Sequence, residues 1–81
     1  MAKSKGLHRE IVQIIPAEGW GAEFRYSHGK TTSRITTPLI CWSLITEKQV
    51  GRKLVGLVAG ENGQISFADL EKGFYKYERL T

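Results

Sequence analysis

Residues 20–26 read WGAEFRY, the most regular alternation in this chain. Apolar or aromatic side chains occupy every second position from Trp20 to Tyr26, and Glu23 and Arg25 lie between them. A period of two is typical of a β-strand that has one face buried and the other in water. We therefore predict a half-buried antiparallel strand over residues 20–26.

Outward from this strand, the chain breaks into further short segments that are separated by turns. A β-branched, apolar run predicts a strand that ends before Pro16, because proline cannot donate to a ladder. Asn62-Gly63 predicts a tight hairpin, since both residues tolerate positive φ angles. Polar residues 27–33 predict an exposed loop. The other predicted extended segments are residues 8–15, 34–37, 39–46, 52–59, 64–67 and 74–79.

Three of these segments carry more detailed expectations. Residues 39–46 are apolar on both faces, which indicates a central strand or a strand that bends across a barrel corner. Gly56 in the following strand predicts a bulge or a tight bend. Near the end of the chain, Leu70, Phe74 and Tyr77 have the spacing of a helix, whereas Gly73 and the aromatic run at residues 74–77 favour a strand. We predict one helical turn over residues 68–72, followed by the strand at residues 74–79.

These elements predict an all-β fold, either a small antiparallel barrel or a strongly curled sheet. The pattern indicates five to six short strands, with at most one short helical turn near residues 68–72. An SH3-like arrangement is our first choice because a helical turn precedes the final strand, and an OB-like barrel is the second. We predict a flexible basic arm at residues 1–7 and a single small β domain over residues 8–81.

Length and composition exclude several classes of protein. The chain has 81 residues, of which 41% are hydrophobic and 25% are charged, as in ordinary globular domains. This length leaves room for one compact core and none for a separate cofactor domain. The longest strictly apolar run, Leu39 to Trp42, is far shorter than the ~20 residues that cross a bilayer. We therefore predict no membrane partner.

The distribution of charge suggests an anionic ligand. Twelve Lys and Arg residues against eight Asp and Glu residues give a net charge of +4, and no acidic residue lies between Glu23 and Glu47. Hydroxyls, basic side chains and backbone amides near a glycine are the groups that bind phosphate oxygens. A solvated hairpin loop would have the same composition. The candidate phosphate or nucleic-acid surface consists of Arg25, His28, Lys30, Thr31 and Arg34.

Catalytic chemistry finds little support in the residues. Gly29-Lys30 resembles the end of a phosphate loop, but Phe24 stands where that loop needs its first glycine. The single cysteine, Cys41, cannot form an internal disulfide, which favours a reducing, cytoplasmic compartment. His8 and His28 have no ligand spacing that would hold a metal. We predict a non-enzymatic protein with no catalytic residue, no metal site and no cofactor.

The aromatic residues divide between a predicted core and a predicted contact surface. A core this small must use most of them, and the predicted core set is Trp20, Phe24, Trp42, Phe67 and Phe74. Tyr75 and Tyr77 are expected on one face of the last strand, with Arg79 beside them. The candidate protein-contact aromatics are Trp20, Tyr26, Tyr75 and Tyr77.

Two functional hypotheses follow from these patterns. The first is a protein-interaction or assembly module, in which an aromatic face or a sheet edge binds a protein partner or a second copy of the chain. The alternative is a basic β-barrel that binds nucleic acid through phosphate contacts, with an affinity that falls as salt rises.

Overall fold

A computed structural model describes residues 9–48, 50–60 and 62–80 of the chain, and the predicted arm at residues 1–7 lies outside them. These described residues form seven β-strands and one short 3-10 turn, so the predicted number of five to six strands is wrong. The strands are β1 (Arg9–Ile15), β2 (Trp20–His28), β3 (Thr31–Pro38), β4 (Cys41–Glu47), β5 (Gly51–Ala59), β6 (Ile65–Phe67) and β7 (Phe74–Arg79), and the 3-10 turn is Ala68–Leu70.

The strands form two antiparallel sheets, and the all-β prediction is confirmed. One sheet has the order β1-β4-β5-β6, and the other has the order β3-β2-β7. The chain passes from one sheet to the other at the end of β3. There the Leu39 amide donates to the Trp20 carbonyl at 3.0 Å, and the next amide, of Ile40, donates to the Leu57 carbonyl at 2.8 Å. Among the described residues the ladders do not close into a barrel.

The core lies between the two sheets, where partly buried aromatic rings pack against smaller buried residues. Trp42 packs edge-on against Trp20, with ring centroids 5.6 Å apart, and against Tyr77 at 4.8 Å. Tyr77 also accepts a hydrogen bond from the Gly56 amide at 2.9 Å. The buried residues of this core are Ala17, Ala22, Phe24, Leu39, Val58 and Ala68, with Trp20, Tyr26, Trp42, Phe74 and Tyr77 packed against them.

The predicted loop at residues 27–33 is wrong. β2 continues to His28 and β3 begins at Thr31, so only Gly29 and Lys30 form the turn. Gly29 has φ of +67°, and glycine is favoured at the first central position of a two-residue hairpin turn for that reason. The segment looks like a loop in sequence because β3 is exposed along most of its length, so no hydrophobic period marks it.

Other predicted elements hold, with local corrections. The hairpin at Asn62-Gly63 joins β5 to β6, and a helical turn followed by a strand occupies the end of the chain. The predicted central strand at residues 39–46 is covered on both faces, since Trp42 packs in the core while Ile45 is fully buried. Gly56 is not a bulge, because the pairing of β4 with β5 has no register shift.

Gly56 is required instead by the close approach of two core side chains. A Cβ at this position would lie 2.7 Å from a Leu39 methyl and 2.9 Å from the Tyr77 ring. Leu39 is buried, and Tyr77 is held by its bond to the Gly56 amide, so neither can move freely.

We expect Gly56→Ala to lower the free energy of unfolding by about 1–3 kcal/mol through overpacking. Urea denaturation of the two proteins measures this change. Gly60→Ala is the matched control, because its Cβ would meet only the Gln64 carbonyl oxygen at 3.5 Å, an ordinary contact. Equal stability of the Gly56→Ala protein and the wild type would contradict the close packing.

A cluster of buried charges fastens β1 to the rest of the fold. The Arg9 guanidinium donates to Glu47 on β4 at 2.5 Å and to both carboxylate oxygens of Asp69 at 2.8 and 2.9 Å. The Arg9 guanidinium also lies 4.9 Å from the centre of the Phe67 ring, and Phe67 is not part of the core cluster, so its predicted place in the core is wrong. Within the described part of the chain, no helix is long and apolar enough to span a membrane.

Candidate functional site

A cleft of about 400 Å³ opens where the two sheets part beyond the bend at Leu39. One wall is the inward face of β3, and the other is the end of β5 with the start of the turn that follows it. We call this space the edge cleft. Its lining residues are Phe24, Tyr26, Ile35, Thr37, Val58, Ala59, Gly60, Ser66 and Glu71.

Both walls of the edge cleft carry strand edges without a ladder partner on the cleft side. β3 pairs with β2 and with no other described strand. Pairing of β5 with β4 ends at Leu57, so among the described residues Val58 and Ala59 pair only with β6. Backbone amide and carbonyl groups in such positions are available to another extended chain.

The floor of the edge cleft is apolar. Phe24 is buried and packs edge-on against Phe74, with ring centroids 6.0 Å apart. Ile35 lies directly opposite Phe24 in the β2–β3 ladder, yet 52% of it remains exposed. An aliphatic side chain is thus held half in water beside a buried aromatic ring. An apolar group that entered here would cover Ile35 without moving the core.

Among the residues that the structure describes, Glu71 is the one charged residue that lines the edge cleft. Its backbone is fixed, since its amide donates to the Ala68 carbonyl at 3.1 Å and its carbonyl accepts from the Phe74 amide at 3.2 Å. Among the described residues, no lysine or arginine forms an ion pair with it. The described lining of the cleft therefore combines an apolar floor with one acidic residue.

The opposite, outer face of the β3-β2-β7 sheet is a network of charged groups. Glu23 lies at its centre with a side chain only 4% exposed, and it accepts a hydrogen bond from Arg25 at 2.7 Å. Arg34 approaches the same carboxylate at 3.9 Å. The Arg25 guanidinium beside Glu23 holds the pKa of that carboxyl below its ordinary value. The Glu23 carboxylate therefore offsets the repulsion between Arg25 and Arg34, which lie directly opposite each other in the β2–β3 ladder.

The five predicted phosphate-binding residues all lie on the β2–β3 hairpin, but on both of its faces. Arg25 and Arg34 are cross-strand partners on the outer face. His28 and Thr31 are also cross-strand partners, but they lie on the opposite face of the ladder. The Thr31 hydroxyl donates to the His28 carbonyl at 3.1 Å. Lys30 lies in the turn. Arg34 has the more open of the two guanidinium groups, with its side chain 67% exposed against 35% for Arg25.

The four predicted contact aromatics are separated by the fold. Trp20 packs on Trp42 and has the Arg79 guanidinium 5.3 Å from its ring centre, while Tyr26 lines the edge cleft. Tyr77 is half-buried, and this burial raises the pKa of its hydroxyl. Tyr75 alone is open, 53% exposed.

Tyr75 and Tyr77 do not share a face, so that prediction is wrong. The β2–β7 ladder shifts register between Glu23 and Phe24, which inserts one extra residue into β7. Tyr75 therefore turns to the outer face, where the Arg25 guanidinium lies 3.6 Å from its ring centre. A bulge of this kind re-aims one side chain without ending the strand. Arg79 lies beside Trp20, away from Tyr75.

Sequence reasoning missed the residues of the edge cleft. Ile35 carried a usable signal, since it is the only large aliphatic residue between Tyr26 and Pro38. Glu71 carried none, because a carboxylate near the end of a charged segment looks like any solvated group. In the part of the chain that the structure describes, no three His, Cys, Asp or Glu side chains gather as a metal site would need.

Comparison of the chain with protein families, with curated proteins and with solved structures finds no match.

Proposed function

We propose that this chain is a small, non-enzymatic binding module that holds a protein partner at a sheet edge, the free edge of β3 beside the edge cleft. One observation carries the proposal: a strand edge without a partner among the described strands borders a cleft that has an apolar floor and a half-exposed wall residue, Ile35. Extended segments bind such edges through backbone hydrogen bonds, and alternate side chains enter the neighbouring pocket.

The sheet edge is better supported than an aromatic contact face. Trp20, Tyr26 and Tyr77 pack against the core, and only Tyr75 stands open. A second edge, on β1, exposes apolar side chains such as Ile14, but a register shift near Val12 interrupts its ladder. Bulges in edge strands discourage pairing with another chain. We therefore place the partner on β3.

We further propose that the architecture is SH3-like. Several features support this arrangement over an OB-like one. The chain bends from one sheet into the other between β3 and β4, a 3-10 turn precedes the last strand, and that last strand returns to pair with β2. In this view the edge cleft is the gap between strands that a closed barrel would have joined.

The experiment is panning of a phage-displayed library of random nonapeptides on the wild-type protein, followed by amide chemical-shift mapping with one enriched peptide. We expect shifts on β3 and on the end of β5. Ile35→Lys places a charge on the cleft side of β3 and should abolish binding of that peptide. Thr32→Lys is the matched control, because it adds the same charge to the same exposed strand but on its outer face.

Failure to enrich any peptide, or shifts confined to other strands, would refute the edge proposal. Equal binding by the Ile35→Lys and Thr32→Lys proteins would refute the assignment to the edge cleft. Both substituted positions are solvent-exposed, so both proteins are expected to fold.

A specific observation also favours nucleic acid as a second candidate. Tyr75 is exposed on the outer face beside Arg25, and the open guanidinium of Arg34 lies directly across the ladder. An aromatic ring among arginines binds bases by stacking and phosphates by charge. Lys30→Glu with Arg34→Glu should abolish retention on heparin, while the control pair Lys48→Glu with Arg52→Glu should reduce it less. Full retention by the first pair would exclude this surface.

A further inference from the structure

We infer that the edge cleft selects its partner by charge: the bound segment is an extended strand that directs an aliphatic side chain onto Ile35 and a lysine or arginine to Glu71. This inference rests on the proposed function and adds the chemistry of the partner. Three properties of the cleft lead to it, namely its backbone edge, its apolar floor and Glu71, the one acidic residue among its described lining residues.

The backbone edge determines the conformation of the partner. β3 is extended over eight residues and is exposed along most of them. A segment that adds to β3 must itself be extended, and its side chains then alternate between the cleft and the outer face. Only every second side chain of the partner segment can therefore contact the cleft.

The floor determines which side chain enters between the walls. Phe24 and Val58 are buried beneath the opening, and Ile35 and Thr37 lie on the β3 wall. No charged group of the described residues faces this part of the cleft apart from Glu71. A branched aliphatic side chain fits such a surface, because it covers apolar area without leaving a polar atom unpaired.

Glu71 determines the sign of the charge that the partner carries. Glu71 is an exposed residue that lines the cleft, and its carboxylate has no ion-pair partner among the described lysines and arginines. The Glu71 backbone is held by the 3-10 turn on one side and by Phe74 on the other, so the residue that carries the charge keeps its place in the lining of the cleft. An acidic segment would be repelled here, and a basic one would be attracted.

The outer face gives no equivalent selection for a segment bound at this edge. There the carboxylate of Glu23 is already paired with Arg25, and Glu78 accepts a hydrogen bond from the Thr36 hydroxyl at 2.9 Å. A partner side chain on that side would meet the cation of Arg34. A basic side chain is therefore favoured on the cleft face of an added strand, beside Glu71, and disfavoured on its outer face, beside Arg34.

The test compares nonapeptides selected from the same random library by three proteins: wild type, Glu71→Lys and Glu18→Lys. Lysine and arginine should be enriched at alternate positions of peptides selected by the wild type and by Glu18→Lys. Glu71→Lys should select aspartate and glutamate at those positions. Glu18 is an exposed turn residue, so its replacement makes the same change of net charge away from the cleft.

Affinity gives a second readout. Glu71→Gln should weaken the best lysine-containing peptide about two- to fivefold, as expected for one exposed ion pair. Peptides that map to β3 but show no change of charge preference in Glu71→Lys would overturn this inference and leave the edge proposal standing. A library that enriches nothing on the wild type would overturn both. An equal change in Glu18→Lys would overturn the role of Glu71.

Discussion

Arg9→Ala is expected to lower the free energy of unfolding by about 3–5 kcal/mol, the usual cost of removing one partner from a buried ion cluster. The Arg9 side chain is only 5% exposed, and its guanidinium satisfies carboxylates of Glu47 and Asp69 at once. Without Arg9, two largely buried carboxylates lose their main hydrogen-bond donor. β1 would also lose its link to the 3-10 turn, because Asp69 lies in that turn.

Urea denaturation at about pH 7 measures this loss, and Arg52→Ala is the matched control. Arg52 lies on β5 with an exposed side chain, so its removal changes the net charge equally and should cost less than about 0.5 kcal/mol. A loss below about 1 kcal/mol in Arg9→Ala would contradict a stabilising role for the cluster.

The same cluster has a predicted pH signature. The Arg9 guanidinium holds the pKa of the Asp69 carboxyl below its ordinary value of 3.8. A carboxyl whose pKa is lower in the folded state contributes stability above its unfolded pKa, and this contribution is lost as pH falls through the folded value. Wild-type stability should therefore fall below pH 3.8 more steeply than that of Arg9→Ala. Parallel pH profiles would contradict the coupling.

Gly73→Ala is the other substitution with a large expected effect, about 2–5 kcal/mol of destabilisation. Gly73 has φ of +88°, which costs an L-residue about 1–2 kcal/mol. A Cβ here would also lie 2.6 Å from the Tyr26 ring and 2.9 Å from the Arg25 carbonyl oxygen. That carbonyl belongs to the backbone of β2, and the amide of the same residue, Arg25, donates a hydrogen bond to the Gly73 carbonyl at 2.8 Å. Overpacking therefore adds about 1–3 kcal/mol.

Gly51→Ala separates the two contributions. Gly51 has the same φ of +88°, but a Cβ there would meet no atom within 4 Å. Its replacement should therefore show the conformational cost alone, about 1–2 kcal/mol. Thermal or urea unfolding of both variants gives the difference. If the two variants lose equal stability, the contact of Gly73 with Tyr26 contributes nothing.

The register of β2 shows what could be predicted from local pattern. Residues 20–26 alternate strictly, and the structure places Ala22 and Phe24 in the core as that alternation predicted. The pattern is reliable there because one face of the strand is buried, so selection for apolar residues acts at every second position. The burial of Glu23 was not predictable, since its pairing with Arg25 becomes visible only when both side chains are placed.

β3 shows where local pattern fails. It is a full strand that carries one wall of the candidate site, yet its residues are mostly polar because little of it is buried. Strand formation there depends on pairing with β2 across the turn at Gly29, and such pairing leaves no hydrophobic period in the sequence. The position of Tyr75 was missed for a related reason, because a single extra residue in β7 reverses the face of every side chain beyond it.

Sequence patterns were enough to predict an all-β protein, the position of most of its strands and most of its core rings, although Tyr77 and not Phe67 belongs to the core. Those properties follow from period-two burial, turn residues and chain length, which are local or compositional. The three-dimensional structure was needed to show that the strands form two sheets that part at Leu39, and that Ile35 and Glu71 line one cleft. Ile35 and Glu71 are far apart in the chain. Their position in the lining of one cleft depends on the bend at Leu39, the bulge in β7 and the packing of aromatic rings between the sheets.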